Sequence, residues 1–258
     1  MSLTGVLASE WTKVRSLRSM SYGTLLALGM AAGFGMLTSY AAGRDYTQSP
    51  PQDRAGFDPA ASSLRVYLSI QLVLGILGVL TVTSEYASGT IRASLAAVPH
   101  RNRLLAAKVA VFTAGALVLG QVIAFLAFFA GQPVIAAQGA PATTLGAPRV
   151  LIAVIGAGLV MTAVGVLGIG LGVLTRSTAA GLITVAVLTV LVPSFVPALP
   201  EPLSSTLGRY WPTTAAGQLA KVVPDAGALN GWTGLGLLAA LVAATLAAAF
   251  VVFGRRDT

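Results

Sequence analysis

The residues able to do chemistry are few, and their spacing builds no catalytic site. His100 is the one histidine and cysteine is absent. No Ser/His pair, paired-carboxylate site or histidine metal site can be assembled at membrane depth from this set, so no catalytic or metal-binding residue is assigned. His100, between Pro99 and Arg101, reads as a loop residue at the interface. The chain also lacks the G-x-x-x-x-G-K-[ST] phosphate loop, so it is not read as an enzyme and any energy must come from another polypeptide. Polar residues do gather between positions 85 and 108, where Glu85, Arg92, Arg101, Arg103 and Lys108 frame a short apolar stretch. Gly89 permits a sharp turn there, and Thr90 is placed to cap the helix that follows. Ile91, Leu95 and Val98 recur at i, i+4 and i+7 until Pro99 stops the pattern. A second concentration lies at residues 3–18, where Leu3, Leu7, Trp11, Val14 and Arg18 form one helical stripe, widened by Val6 and Leu17. With Lys13, Arg15 and Arg18 close by, that helix suits the lipid headgroup layer as an elbow that orients the next element, or as a basic anchor serving topology alone.

The elements that must position these residues follow from composition. Of 258 residues 55% are hydrophobic and 9% charged, and the mean hydropathy is +0.83. A soluble domain carries roughly 25% charged residues, so this chain cannot cover a water-facing surface. A bilayer core of about 30 Å needs about 20 apolar residues in helix. Six such runs are present: Met20–Ala42, Val66–Ser84, Val109–Gly131, Val150–Leu174, Ser177–Leu199 and Thr233–Phe253. The expected fold is therefore an all-α integral membrane protein, one transmembrane domain over residues 1–258. The first run follows nineteen fairly polar residues and exceeds a signal peptide's apolar core of about 7–15 residues, so it is expected to be retained. Only Thr175-Arg176-Ser177 separates the fourth and fifth runs, which implies a tight helical hairpin.

Residues 1–19, 85–108, 175–176 and 254–258 carry ten Lys/Arg against three acids, while 43–65, 132–149 and 200–232 carry six against five. The positive-inside rule then places both termini in the cytoplasm. This bias accounts for the net charge of +8 without nucleic acid. No ionisable residue lies inside the six runs as drawn, which disfavours a carrier that binds a coupling ion at membrane depth.

Glu85, Gly89-Thr90, Leu95, Pro99, an arginine at 101 or 103, and Lys108 together resemble the coupling loop of type-2 ATP-binding-cassette exporter permeases, in particular Ala/Gly-rich actinobacterial members. Glu10-Trp11-Thr12-Lys13 with Arg15 and Arg18 looks like that family's opening stretch. The resemblance implies that residues 85–103 dock on a separate ATPase subunit, which would hold ATP and Mg, with no cofactor in this chain. It also implies export across the bacterial cytoplasmic membrane and short re-entrant helices before the last span. Read without the family, Glu85 and its cations are an interfacial cap and a topology signal.

The outer loop 200–232 is broken by Pro200, Pro202, Pro212 and Pro224, and Leu203, Leu207, Tyr210, Trp211 and Leu219 are suited to the interface. Arg209-Tyr210-Trp211-Pro212 resembles part of the re-entrant element, or is an ordinary interfacial aromatic pair. Gly156, Gly158, Gly165, Gly168, Gly170 and Gly172 crowd the fourth run, which implies close helix packing or a flexible helix there. Six spans make a small bundle, so a second permease chain, identical or similar, is expected to complete a path. Thr24, Thr38, Tyr40, Gln71, Thr81, Thr83 and Gln121 suit an uncharged wall for an amphiphilic cargo such as an antibiotic, peptide or lipid. An ion-coupled carrier or channel, or a non-transporting sensor or assembly factor, is the alternative.

Overall fold

The computed structural model describes residues 3–16, 18–90 and 101–255, and among these residues the regular structure is helical, with no strand. Helix α1 (Leu3–Ser16) precedes α2 (Arg18–Gln48). A short α3 (Pro59–Leu64) leads into α4 (Tyr67–Ala87). Then come α5 (Arg101–Ala137) and α6 (Val150–Thr175). Helix α7 (Thr178–Ala186) runs through a π turn, Val187–Leu191, into α8 (Val192–Phe195). Two short helices, α9 (Leu203–Tyr210) and α10 (Pro212–Gly217), lie before α11 (Gly231–Arg255).

Among the described residues six segments are long and apolar enough to cross a membrane: Met20–Gln48, Pro59–Ala87, Arg101–Ala137, Val150–Thr175, Thr178–Ala198 and Gly231–Arg255. The six expected runs are all there, but most of the helices outlast them. Helix α5 has 37 residues, about 55 Å at 1.5 Å per residue, far more than the apolar layer requires. Backbone hydrogen bonding does not stop where apolar side chains stop, so helix ends carry charges that the hydrophobic runs exclude. Glu85, Arg101, Arg103 and Lys108 are all helical residues for this reason.

The second and fourth spans form the centre of the bundle, with 67% and 72% of their apolar windows buried against 11% for the sixth. Glycine makes their approach possible. A Cβ at Gly78 would run into the Gly165 carbonyl oxygen, and one at Gly168 into that of Gly75. Gly172 also lies against the second span, at Val79, while Gly158 lies against Gln121, Gly170 against Thr245 and Gly156 against Leu219. Close packing is thus the role of that glycine cluster, as lipid supplies little hydrophobic drive for helices to associate. The expected hairpin is also present. Arg176 ends α6 with a φ of 52°, and Ser177 caps α7 by accepting from the Ala180 amide.

Two polar anchors order the face of the bundle opposite α1. Asp58 Oδ1 caps α3 at Ala61 N (2.9 Å), and its Oδ2 accepts from Val222 N (2.7 Å) and Val223 N (2.9 Å). Gln132 donates to Ser63 Oγ (2.6 Å) and to the Pro59 carbonyl (2.9 Å), while its own oxygen accepts from Thr143 N. In the fifth span, the Val192 amide bonds back five residues to Val187. Pro193 has no amide to offer, so the Leu188 carbonyl needs another donor. Trp211 Nε1 supplies it at 2.9 Å. Leu219, expected at the interface, is instead core, 5% exposed beside Gly156 and Gly231. Leu203 and Tyr210 remain outward.

Candidate coupling site: a buried ion-pair network

Helix α1 buries a different face from the one its apolar stripe suggests. Val6 and Glu10, one turn apart, are almost wholly buried, Leu7 is half-buried, and Trp11 is 47% exposed. Glu10 turns inward because cations meet it there. Lys108 Nζ donates to Glu10 Oε2 at 2.6 Å and to Glu85 Oε1 at 2.8 Å. Lys13 Nζ donates to Glu10 Oε1 at 2.6 Å and to Glu85 Oε1 at 3.1 Å. Among the described residues these are two carboxylates and two ammoniums, so the charges cancel. They come from three separate places: the elbow α1, the last turn of α4, and the start of α5.

Burial sets how strongly the four hold one another. The side chains of Glu10 and Lys108 are 1% and 4% exposed. Removing such charges from water costs several kcal/mol per ion, which only close opposite charges and hydrogen bonds offset. Lys13 is the most open member. Burial pulls its ammonium down, but the hydrogen bond to Glu10 and the charge of Glu85 outweigh this and raise it above its ordinary value of 10.5. Below that value the ammonium is charged in both folded and unfolded chains, and its share of the stability is fully present. Glu85 Oε2 is buried without a hydrogen-bond partner, so the network is anchored on one oxygen of that carboxylate.

The sequence-derived coupling set divides accordingly. Glu85 and Lys108 are brought together inside the protein. Gly89 takes a φ of 71° on the surface, the sharp turn expected of it. Thr90 Oγ1 lies 2.9 Å from Ser88 Oγ. Arg103 is exposed and Arg101 half-exposed. Arg92, Leu95 and Pro99 lie outside the described residues, as does the helix expected from Ile91 to Val98. Of the elbow set, Glu10 and Lys13 join the network and Arg18 is exposed, while the Arg15 side chain lies outside the description. The pairing of Glu10 with Lys108 is not visible in sequence, because 98 positions separate them. The one available signal is that Glu10 falls a turn after Val6.

The expected polar wall is mostly spent on the bundle itself. Thr81 and Thr83 are buried, and their hydroxyls donate to the Leu77 and Val79 carbonyls of their own helix. Gln121 reaches across to the Ile155 carbonyl. Tyr40 keeps an outward position, while Thr24 is half-buried. No cluster of three or more His, Asp or Glu side chains able to hold a metal occurs among the described residues.

No curated protein matches the sequence. The family model described as ABC-2 family transporter protein matches residues 6–192. The match runs from the buried face of the elbow through the network and the four spans that follow it into the fifth. An all-α bundle of six spans and a family match over well over half its length place the chain: it belongs to the ABC-2 family of membrane transporter proteins.

Proposed function

We propose that this chain is the permease subunit of an ATP-driven exporter in a bacterial cytoplasmic membrane, with both termini in the cytoplasm. ABC-2 permeases normally work with an ATPase subunit. Here that partner would hold ATP and Mg, and a second permease chain, identical or similar, would complete the path. The cargo would be an amphiphile, an antibiotic, peptide or lipid, and drug efflux with resistance is one outcome of such export. Residues 1–258 act as one permease domain, with 1–19 as the elbow, 85–108 as the coupling loop and 200–232 as the outer loop that carries the re-entrant helices.

The observation that carries this reading is the ion-pair network. Glu85 and Lys108 stand at the two roots of the loop, and both are tied to the elbow, Lys108 directly through Glu10 and Glu85 through Lys13. A push on the loop by a closing ATPase pair is therefore delivered to the elbow, the second span and the third span together. Gly89, Thr90, Arg92, Leu95, Pro99, Arg101 and Arg103 would form the docking surface, and Glu85 and Lys108 would fix its roots. The test is purification from the native membrane with the partner ATPase, then a screen for amphiphiles that stimulate ATP hydrolysis. Gly89→Leu, at an exposed turn that needs positive φ, should insert normally yet hydrolyse ATP without export. Full export by that variant would overturn the assignment.

A further inference from the structure

An apolar cleft of about 460 Å³ opens beside the network, on the elbow's side of the bundle. Its walls come from Trp11 of α1, Thr24 and Leu28 of the first span, Leu77 of the second, and the third span from Val111 to Val122 with Gly115 between them. Among the lining residues only Trp11 and Thr24 have a side-chain N or O atom. Such walls suit a hydrocarbon and reject an ion or a sugar. The eleven-residue advance from Val111 to Val122 measures about 16 Å at 1.5 Å per residue, close to half of a hydrocarbon core of about 30 Å. That is the depth of one leaflet. Trp11 stands at the end where a headgroup would lie, the position that interfacial tryptophans favour. Lys13, Arg15 and Arg18 follow it within seven residues, and Arg18 is exposed. Basic residues at a membrane surface attract anionic lipids.

We propose that this cleft binds one acyl chain of an anionic phospholipid from the leaflet on the elbow's side, with its phosphate held by Arg18 at the end of the elbow. The occupant rests on Trp11, one residue from Glu10, and on α5 one turn beyond Lys108. It therefore buttresses the network from the lipid side. This proposal does not depend on the ATPase reading.

The probe is photoactivatable lipid with a diazirine in its tail, phosphatidylglycerol or phosphatidylcholine, mixed into vesicles holding the full chain. Adducts are mapped by mass spectrometry of peptides. Phosphatidylglycerol should label residues 111–122 at least fivefold more than phosphatidylcholine. Gly115→Leu places a side chain where a Cβ meets nothing within 4 Å. It should cut that labelling at least fivefold while leaving insertion and labelling elsewhere unchanged. Arg18→Gln should lower phosphatidylglycerol to the phosphatidylcholine level while the label stays on the same peptide. Equal labelling by the two lipids in the unmodified chain, or labelling that Gly115→Leu does not change, overturns the proposal. So does a photoreactive residue at the exposed Val118 that yields adducts of doubled protein mass, which would give the cleft to a second copy of the chain.

Discussion

Replacing Lys108 by Met tests whether the buried network is an electrostatic unit. Met keeps most of the volume of the lysine stem and removes the charge. Glu10, 1% exposed, then has one carboxylate oxygen bare, and Lys13 is the remaining described ammonium for two glutamates. Breaking a buried ion pair by deleting one partner costs about 3–5 kcal/mol, because the surviving charge is stranded away from water. Stability changes of about 1 kcal/mol move the midpoint roughly 2–4 °C in a chain of this size, so a loss on the order of 10 °C is expected. Adding Glu10→Gln to Lys108→Met removes the stranded charge and leaves the Lys13–Glu85 pair balanced. The double variant should therefore regain more than half the loss, although Glu10→Gln alone, which strands Lys108 against one glutamate, is destabilising. A double-mutant cycle in detergent, read as the fraction of folded chain against temperature, measures this coupling. A midpoint drop under about 2 °C for Lys108→Met, below the scale of one kcal/mol, would refute the reasoning. Strict additivity of the two substitutions would refute it as well.

Helix packing makes a paired prediction. Gly168→Ala should destabilise the fold by about 1–3 kcal/mol, since its methyl meets the Gly75 carbonyl. Gly33→Ala, where a Cβ meets nothing, should be neutral or stabilise by up to about 1 kcal/mol; thermal midpoints of the two variants decide it. Trp211→Phe keeps the ring but leaves the Leu188 carbonyl without its donor, and should cost about 1–3 kcal/mol with faster amide exchange around residues 187–193. The Asp225 carboxyl faces burial, which raises it, yet hydrogen bonds from Lys221 and Gln218 hold it below its ordinary 3.8. Its contribution is thus present above 3.8 and lost as pH falls through the lower folded value. Acid titration of the thermal midpoint should show this loss in the unmodified chain, and Asp225→Asn should remove it.

Span number and class were legible in the sequence because charge-free apolar runs have no other use. The hairpin at Arg176 was legible for the same reason. Helix ends were not, since Arg101–Leu105 and Arg44–Gln48 continue a helix in residues that hydropathy assigns to loops. The glycine cluster was legible as packing, but its partners, Gly75 and Gly78, lie some ninety positions earlier. The buried face of α1 was not legible for a specific reason. Amphipathic analysis assumes that a polar residue faces water, and Glu10 faces Lys108 instead. A pairing over 98 positions leaves no periodicity to detect. Leu219 shows the converse: a leucine among prolines in an outer loop reads as interfacial, yet Gly156 and Gly231 leave it a socket.

The packing also limits how a push at the coupling loop can spread. The second span meets the fourth with backbone against backbone at Gly78–Gly165 and Gly75–Gly168, and close-packed interiors transmit displacement rather than absorb it. These two spans must therefore move as one body. The third span is held to the second through Lys108 and Glu85 at one end, and through Gln132 and Ser63 at the other. The sixth span buries little of its surface within the chain, and at Gly170 it meets the fourth through the methyl of Thr245. A displacement entering at residues 85–108 is thus shared first by spans two, three and four. A cysteine pair at Leu74–Gly165, where a Cβ on Gly165 would lie 3.5 Å from that of Leu74, within the span of a disulfide, should leave ATP-driven transport intact when oxidised, since it joins parts of one body. Cysteine pairs that tie the sixth span to the fourth at Gly170–Thr245 should stop it. Block of transport by the first pair, with none by the second, would reverse the assignment of the moving body.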